Sequence, residues 1–500
     1  SLTMHPRGMF YGLLLLFLLV RILFLDRLPV FNDESIYLHW GLEFFRDPRE
    51  WVIPILLDGK QPGMSILFGP LNALPIDPVT AGRMLSIGFS FLTLFITLKI
   101  ASFIFRSSSR VSLMLLMTFC PFLVFYDRLA LLEAYITFCF MLTLYFFLLF
   151  TKKPRFIYGM FAGVTIALGW FVKSTILLSL PPLLISLVLF SSEHRKNIVP
   201  AVLFLVAGAT AFAILTLPLR LNPLFALIQK GESSRLMPLS QFLALPTTIW
   251  FQKILATIQW LIAYMTPPGI ILVLLGWFLP KRKNRTDTLI LFWAFLPILS
   301  GIFFTSGYTS RYIVLSVPLL LLISAQALSS IGSRYVAHLV IACMAIQTIL
   351  MTVSPLSYFR VLMYMPLAQN DYSQYVKGFP SGWGVKEART FIQRESQGKR
   401  SIVFVRLDSG NPEDAMYVSL SKTDTIRVLP LSFFFPLYEE LKKSELLDTI
   451  PLYFVSRGYQ RADLDEYLKE LVRFPKPLDE EFVGVYRMQT SERDPKDSLQ

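Results

Sequence analysis

A chain of 500 residues that is 54% hydrophobic and only 16% charged, where a soluble domain carries about 25% charged residues, cannot hide its apolar surface inside one water-facing globule. Lipid must solvate much of it. The net charge of +13 could suggest nucleic acid, but the basic excess lies in short loops between apolar runs, where it orients spans in a bilayer, so nucleic-acid binding is discounted.

Apolar runs fall near residues 9–25, 83–105, 111–126, 129–151, 156–173, 174–190, 198–218, 256–279, 287–305, 312–328 and 335–354. A spanning helix needs roughly 17 to 25 mostly apolar residues, which predicts about eleven transmembrane helices and a polytopic α-helical membrane protein. The first run has no small-residue cleavage site behind it and reads as an uncleaved span.

Alternate connections collect Arg and Lys: Arg106 with Arg110, Lys152-Lys153-Pro154-Arg155, Arg195-Lys196, and Lys281-Arg282-Lys283-Asn284-Arg285. These connections and the N-terminus are therefore expected in the cytoplasm, and an odd number of spans puts residues 355–500 outside. The expected organisation is a transmembrane domain over 1–370 with an external loop at 26–82, and a soluble extracytoplasmic domain over 371–500. Charge supports the division: 28 Lys/Arg and 13 Asp/Glu lie in 1–370, against 19 and 21 in the remainder. The expected location is the cell membrane, inner or plasma, crossed many times.

After Pro355 helix and strand signals alternate. Helices are predicted at Val385–Glu395, Pro412–Leu420, Leu437–Leu447 and Leu464–Val472, and strands at Ser401–Leu407, Thr425–Leu431, Pro451–Ser456 and Phe482–Met488. Such alternation predicts an α/β layer domain with a mostly parallel sheet. Cys120, Cys139 and Cys343 all lie in apolar runs without metal-ligand spacing and read as small hydrophobes.

Eight of the thirteen acids before residue 371 lie between Asp26 and Asp77, and that concentration is the strongest pointer to chemistry. Asp33 and Glu34 follow the first span, where a carboxylate stays ionised and can still meet a lipid-linked substrate. A general base suits the place; so does a helix N-cap formed by Asp33 or Asn32. Lys60, on the same connection, could neutralise an anionic leaving group, or could snorkel as an interfacial lysine. Glu133 opens a span, where burying a carboxylate costs up to about 2.5 to 3.5 kcal/mol, so it is either a site residue or the partner of Arg128. Lys173, Arg311 and Arg235 stand on external turns and loops, and together such cations suit a phosphate or pyrophosphate. His39 and His194 have no partners at zinc-ligand spacing.

Five stretches together resemble the GT-C membrane glycosyltransferases, in the branch holding protein O-mannosyltransferases and the aminoarabinose transferases that modify lipid A. They are Asp33-Glu34-Ser35-Ile36-Tyr37, Lys60-Gln61-Pro62, Arg128-Leu129-Ala130-Leu131-Leu132-Glu133, Gly169-Trp170-Phe171-Val172-Lys173, and Arg311-Tyr312 with Pro318, in family order across residues 10–330. The resemblance implies inverting transfer of a sugar, mannose or similar, from a polyprenyl-phosphate-linked donor to an acceptor hydroxyl on protein, lipid or glycan. It implies Asp33 as the base or acceptor-positioning acid, Glu34 and Glu133 as site acids, and Lys60, Lys173 and Arg311 as phosphate ligands. No cofactor is implied with certainty, and a divalent cation stays open. The chain departs from the family at Gln61-Pro62, where members often carry two prolines, and its C-terminal α/β region stands in place of a β-trefoil insert. Residues 370–387, with Tyr372, Tyr375 and Trp383, are similar to a segment of bacterial members.

The rival membrane function is a transporter or flippase of polyprenyl-linked substrates. Repeated halves and polar residues at mid-membrane depth would mark one. The acids here gather at one surface, and the sequence shows no internal repeat.

Overall fold

A computed structural model of the protein describes residues 6–104, 108–278, 285–363, 369–406, 410–444, 449–458, 467–477 and 481–488. Packing divides the chain into two compact units: residues 1–25, 44–67 and 83–354 form one, and residues 26–43, 68–82 and 355–500 form the other. The first and last parts of the long acidic connection therefore pack with the C-terminal residues, a grouping that sequence order conceals.

The first unit is a helical bundle. Among the described residues, six helices are long and apolar enough to cross a membrane: Pro78–Ala101, Glu133–Lys152, Ser174–Ser192, Arg195–Arg220, Arg285–Phe304 and Arg334–Val353. Three shorter apolar helices, Gly8–Ile22, Phe156–Val172 and Val317–Ile331, and two bent pairs account for the other expected runs. The bends correct two of those runs. Pro121 and the Pro267-Pro268 pair lack the N–H that would continue a helix, so the chain turns by 58° between Phe119 and Pro121 and by 112° between Met265 and Pro267. The basic residues Arg106 and Lys281 to Lys283 lie outside the described residues.

Without a hydrophobic drive between helices in lipid, close backbone packing holds them. The Phe156–Val172 and Ile198–Arg220 helices meet at Gly159, Gly163 and Gly208, where a Cβ on Gly163 would lie 2.7 Å from the Gly208 Cα. A buried ion pair adds a polar tie: Arg21 Nη2 stands 2.8 Å from Asp127 Oδ2, with Arg21 fully buried. Ser90 donates to the same oxygen, so three helices share one neutralised charge.

The second unit is built on a five-stranded sheet of β1 (Ser401–Val405), β2 (Ile426–Pro430), β3 (Leu452–Ser456), β4 (Leu468–Pro475) and β5 (Phe482–Met488), in the order β2-β1-β3-β5-β4. β1 runs parallel to β2 and β3, while β5 is antiparallel to β3 and β4. The sheet is mixed, which corrects the expectation of a mostly parallel one. Alternation sends Val403, Val405, Tyr453, Val455, Val483 and Val485 to one face, against helices Val385–Glu395 and Glu413–Leu420. Phe404, Leu452, Phe454, Tyr486 and Met488 face the opposite core with Phe434, Tyr438 and Leu441. The expected α/β layering is thus present, with helices on both faces.

One expected helix is a strand. Leu464–Val472 carries apolar residues three and four apart, but residues 468–475 pair with β5, and the register shifts between Glu470 and Val472. That bulge lets Leu471 and Val472 both pack on one core, which breaks the twofold alternation and imitates helical spacing.

Candidate active site

The first unit brings four expected site residues into one neighbourhood. Glu133 begins its helix after a non-helical turn that Arg128 pins by donating to the carbonyls of Val20, Leu23 and Phe24, at 2.6 to 3.1 Å. Arg128 is engaged in holding backbone, and the cation facing Glu133 is Lys173, whose Nζ lies 2.6 Å from Oε1. Lys173 ends the Phe156–Val172 helix in an extended conformation, its N–H bonded to Gly169, so its side chain leaves the helix line where the chain turns into Ser174–Ser179. The Glu133 side chain is 2% exposed and that of Lys173 20%, so the pair is held in low dielectric with one open side. Glu133 Oε2 is buried without a hydrogen-bond partner among the described residues. That oxygen is an acceptor available to a ligand hydroxyl or a water.

Arg311, on a short helix after Ser310, acts electrostatically on Glu133. Ser310 is fixed by a 2.7 Å hydrogen bond with Tyr126. Arg235 joins through Tyr312, which feels the charges of Arg235, Glu133 and Arg311 together. Backbone bonds stitch the Arg235 loop in place: Ser306 N–H donates to the Arg235 carbonyl and Met237 N–H to that of Phe304, each at 2.8 Å. Two cations, Lys173 and Arg311, so act on one buried carboxylate, and Arg235 shares the neighbour Tyr312 with Glu133 and Arg311.

Lys60 lies in the same unit, 3.0 Å from Asp58 Oδ2. Its loop passes hard against the end of the Lys173 helix, because a Cβ on Gly63 would overlap the Phe171 carbonyl oxygen; only glycine permits that approach. On the other side Gly59, at φ +68°, backs onto Gly231. Gln61 Nε2 and Trp170 Nε1 both donate to Glu232 Oε1, at 2.5 and 3.1 Å. Burial pushes the Glu232 carboxyl above the ordinary carboxylate range, with the Trp170 bond, Arg235 and the Gln61 bond pulling it back. Glu232 and Trp170 connect the Lys60 loop to the Arg235 loop. Sequence reasoning named neither as a site residue, although Glu232 stands alone among Lys230 and Arg235 on a basic loop.

Asp33 and Glu34 belong to the second unit, in the first turn of the Asn32–Arg46 helix. Glu34 is fully buried and accepts the Phe31 N–H at 2.8 Å, the return bond of a capping box at the helix start. Asp33 is partly exposed. Among the described residues no group of three His, Cys, Asp or Glu is placed to hold a metal ion.

A family model described as dolichyl-phosphate-mannose-protein mannosyltransferase matches residues 70–219, a stretch that holds Glu133 and Lys173. The crystal structure of ArnT from Cupriavidus metallidurans in the apo state superposes with a TM-score of 0.61 at 13% identity, covering 98% of this chain and 99% of that one. The fold is that of the GT-C membrane glycosyltransferases. The crystal structure of the same ArnT bound to undecaprenyl phosphate gives a TM-score of 0.58 at 13% identity, over 98% of this chain and 100% of that one. No curated protein matches the sequence. The GT-C likeness extends over the C-terminal sheet as well as the bundle, since the shared length is nearly the whole chain.

Proposed function

We propose that the chain is an inverting glycosyltransferase that moves a sugar, mannose or similar, from a polyprenyl-phosphate-linked donor to an acceptor hydroxyl on protein, lipid or glycan. The observation that carries this reading is the buried Glu133 with Lys173 and Arg311 acting on it and Arg235 acting on the neighbouring Tyr312. In the proposed step the acceptor oxygen bonds to the anomeric carbon from the face opposite the phosphate, and the sugar–phosphate bond breaks. The acceptor proton passes to a carboxylate, assigned to Asp33. The leaving phosphate departs as an anion and needs cations more than a proton, so Lys60, Lys173, Arg235 and Arg311 are assigned to it. Glu133 keeps the cations in register and offers Oε2 to the sugar hydroxyls. Glu34 is retained beside Asp33 as the acid that shapes its helix start.

The bound ligand in the ArnT crystal, undecaprenyl phosphate, is of the lipid class this reading requires. A transporter would place titratable groups at a helix interruption in mid-membrane. Of the two bends among the described residues, the sharper, through Met265-Thr266-Pro267-Pro268, carries none, and at the other Arg21 and Asp127 are closed into an ion pair with each other.

The test is release of polyprenyl phosphate by purified protein in nanodiscs, offered polyprenyl phosphates bearing mannose, other hexoses or pentoses. Lys60→Ala is expected to weaken binding of the active donor about tenfold, the value of one charge-assisted phosphate contact. Unchanged affinity would return Lys60 to the role of interfacial anchor. The proposed setting is the cell membrane with a cytoplasmic N-terminus and an external C-terminal domain. A cysteine at the exposed Lys399 is expected to react with an impermeant maleimide on intact cells, and protection until lysis would reverse the orientation.

A further inference from the structure

In the second unit the C-terminal domain grips the chain on both sides of Asp33. Asn411 is 1% exposed: its N–H donates to Asn32 Oδ1 at 3.0 Å, Nδ2 donates to the carbonyls of Val30 at 2.9 Å and Pro380 at 3.0 Å, and Oδ1 lies 3.1 Å from Ser35 Oγ, whose one proton it shares with the Asn32 carbonyl at 2.7 Å. The Asn32 N–H also donates to Pro380, at 2.9 Å. One turn further on, His39 Nδ1 is bonded to Asp414, whose second oxygen accepts the Gly410 N–H, and Tyr417 stacks on the imidazole with ring centroids 4.3 Å apart. Gly410 has φ +106°, and a Cβ there would collide with the Asn32 side chain.

Asn32, Ser35 and His39 are spaced three and four apart and form one stripe of the helix. Asp33 lies about 100° round the helix from Asn32, off the docked stripe and partly exposed. The first helical turn after a membrane span has no intrinsic reason to hold one direction, since a short helix is marginal in water. Here three contacts of one asparagine, to Val30, Asn32 and Ser35, hold the chain on either side of the carboxylate, and a fourth ties it to Pro380.

We infer that Asn411 is a positioning residue for Asp33, and that the C-terminal α/β domain serves the reaction by clamping residues 30–35 so that the Asp33 carboxylate keeps one orientation. The inference rests on the reading of Asp33 as the base. Misplacing a reacting group by about 1 Å can cost on the order of 100-fold in rate without disturbing the binding of a substrate held elsewhere.

The experiment compares purified full-length variants in nanodiscs, using the polyprenyl-phosphate sugar that the wild-type chain turns over best. Asn411→Ala is expected to lower kcat about 10- to 100-fold while the donor KM stays within about twofold. Ser35→Ala is expected to lower kcat less, and Ser35→Thr, which keeps the hydroxyl, to restore it. Should Asn411→Ala fail to fold, the Ser35 pair carries the comparison. A kcat within twofold of wild type in Asn411→Ala, or a parallel loss in Ser35→Ala and Ser35→Thr, overturns the clamp. A rise in donor KM that matches the fall in kcat points to general damage and overturns it too. Asp33→Asn run alongside separates the two layers: wild-type turnover there removes the base assignment and the clamp with it, whereas loss in Asp33→Asn with full activity in Asn411→Ala removes the clamp alone.

Discussion

Asp33→Asn is expected to reduce sugar transfer by about 10²- to 10⁴-fold, the range general-base catalysis contributes. The substitution keeps the shape and removes only the ability to take a proton. Asp33 is partly exposed, whereas Glu34 beside it is fully buried and bonded to the Phe31 N–H. Asparagine is close to isosteric with aspartate and its Oδ1 still accepts hydrogen bonds, so the melting temperature and donor affinity should stay close to wild type. Turnover is the measurement, with thermal unfolding in detergent as the control. Activity near the wild-type level would move the base elsewhere.

Lys173→Met is expected to damage both folding and activity. It leaves Glu133, 2% exposed, without the ammonium 2.6 Å away, and removing one partner of a buried pair costs on the order of 3–5 kcal/mol. Arg311 offsets part of that loss, because its charge also reaches Glu133. Combining Lys173→Met with Glu133→Gln should recover most of the stability, since the uncompensated charge is gone, yet transfer should stay low because a phosphate ligand is still missing. Thermal unfolding and turnover read the two effects separately. Full recovery of activity in the double variant would reduce the pair to a structural tie.

The bundle was legible because lipid imposes a simple rule: long apolar runs separated by basic turns. The rule measures apolarity and is blind to direction, so Pro121 and Pro267-Pro268 turned two apparent runs into bent ones. In the soluble part, strands buried on both faces, such as Ile402 to Val405 and Leu452 to Val455, read correctly because β-branched and aromatic residues cluster there. β4 did not, because the bulge at Leu471 destroyed its alternation. For the site, charge beside an apolar run is conspicuous: Lys173 and Arg311 act on Glu133, and Arg235 shares the neighbour Tyr312 with Glu133 and Arg311. Partner choice was not legible: Glu133 pairs with Lys173, forty residues away, while its sequence neighbour Arg128 holds three carbonyls. Glu232 escaped notice because a lone acid carries no local pattern, and Trp170 was read only as part of the stretch ending in Lys173. Their meeting with Gln61 exists only in three dimensions.

The pairing of His39 with Asp414 joins groups 375 residues apart, and that separation sets an order of events during synthesis. The 26–43 segment precedes the bundle helices from Pro78 onward in the chain, whereas Asn411, Pro380 and Asp414, which complete its surroundings, follow them. Contacts of such high sequence separation close late. Until then the acidic segment lacks these contacts, and a chain interrupted before residue 410 would hold the bundle helices but neither Asn411 nor Asp414. The surroundings of this one early turn are thus completed only by residues encoded beyond the bundle helices.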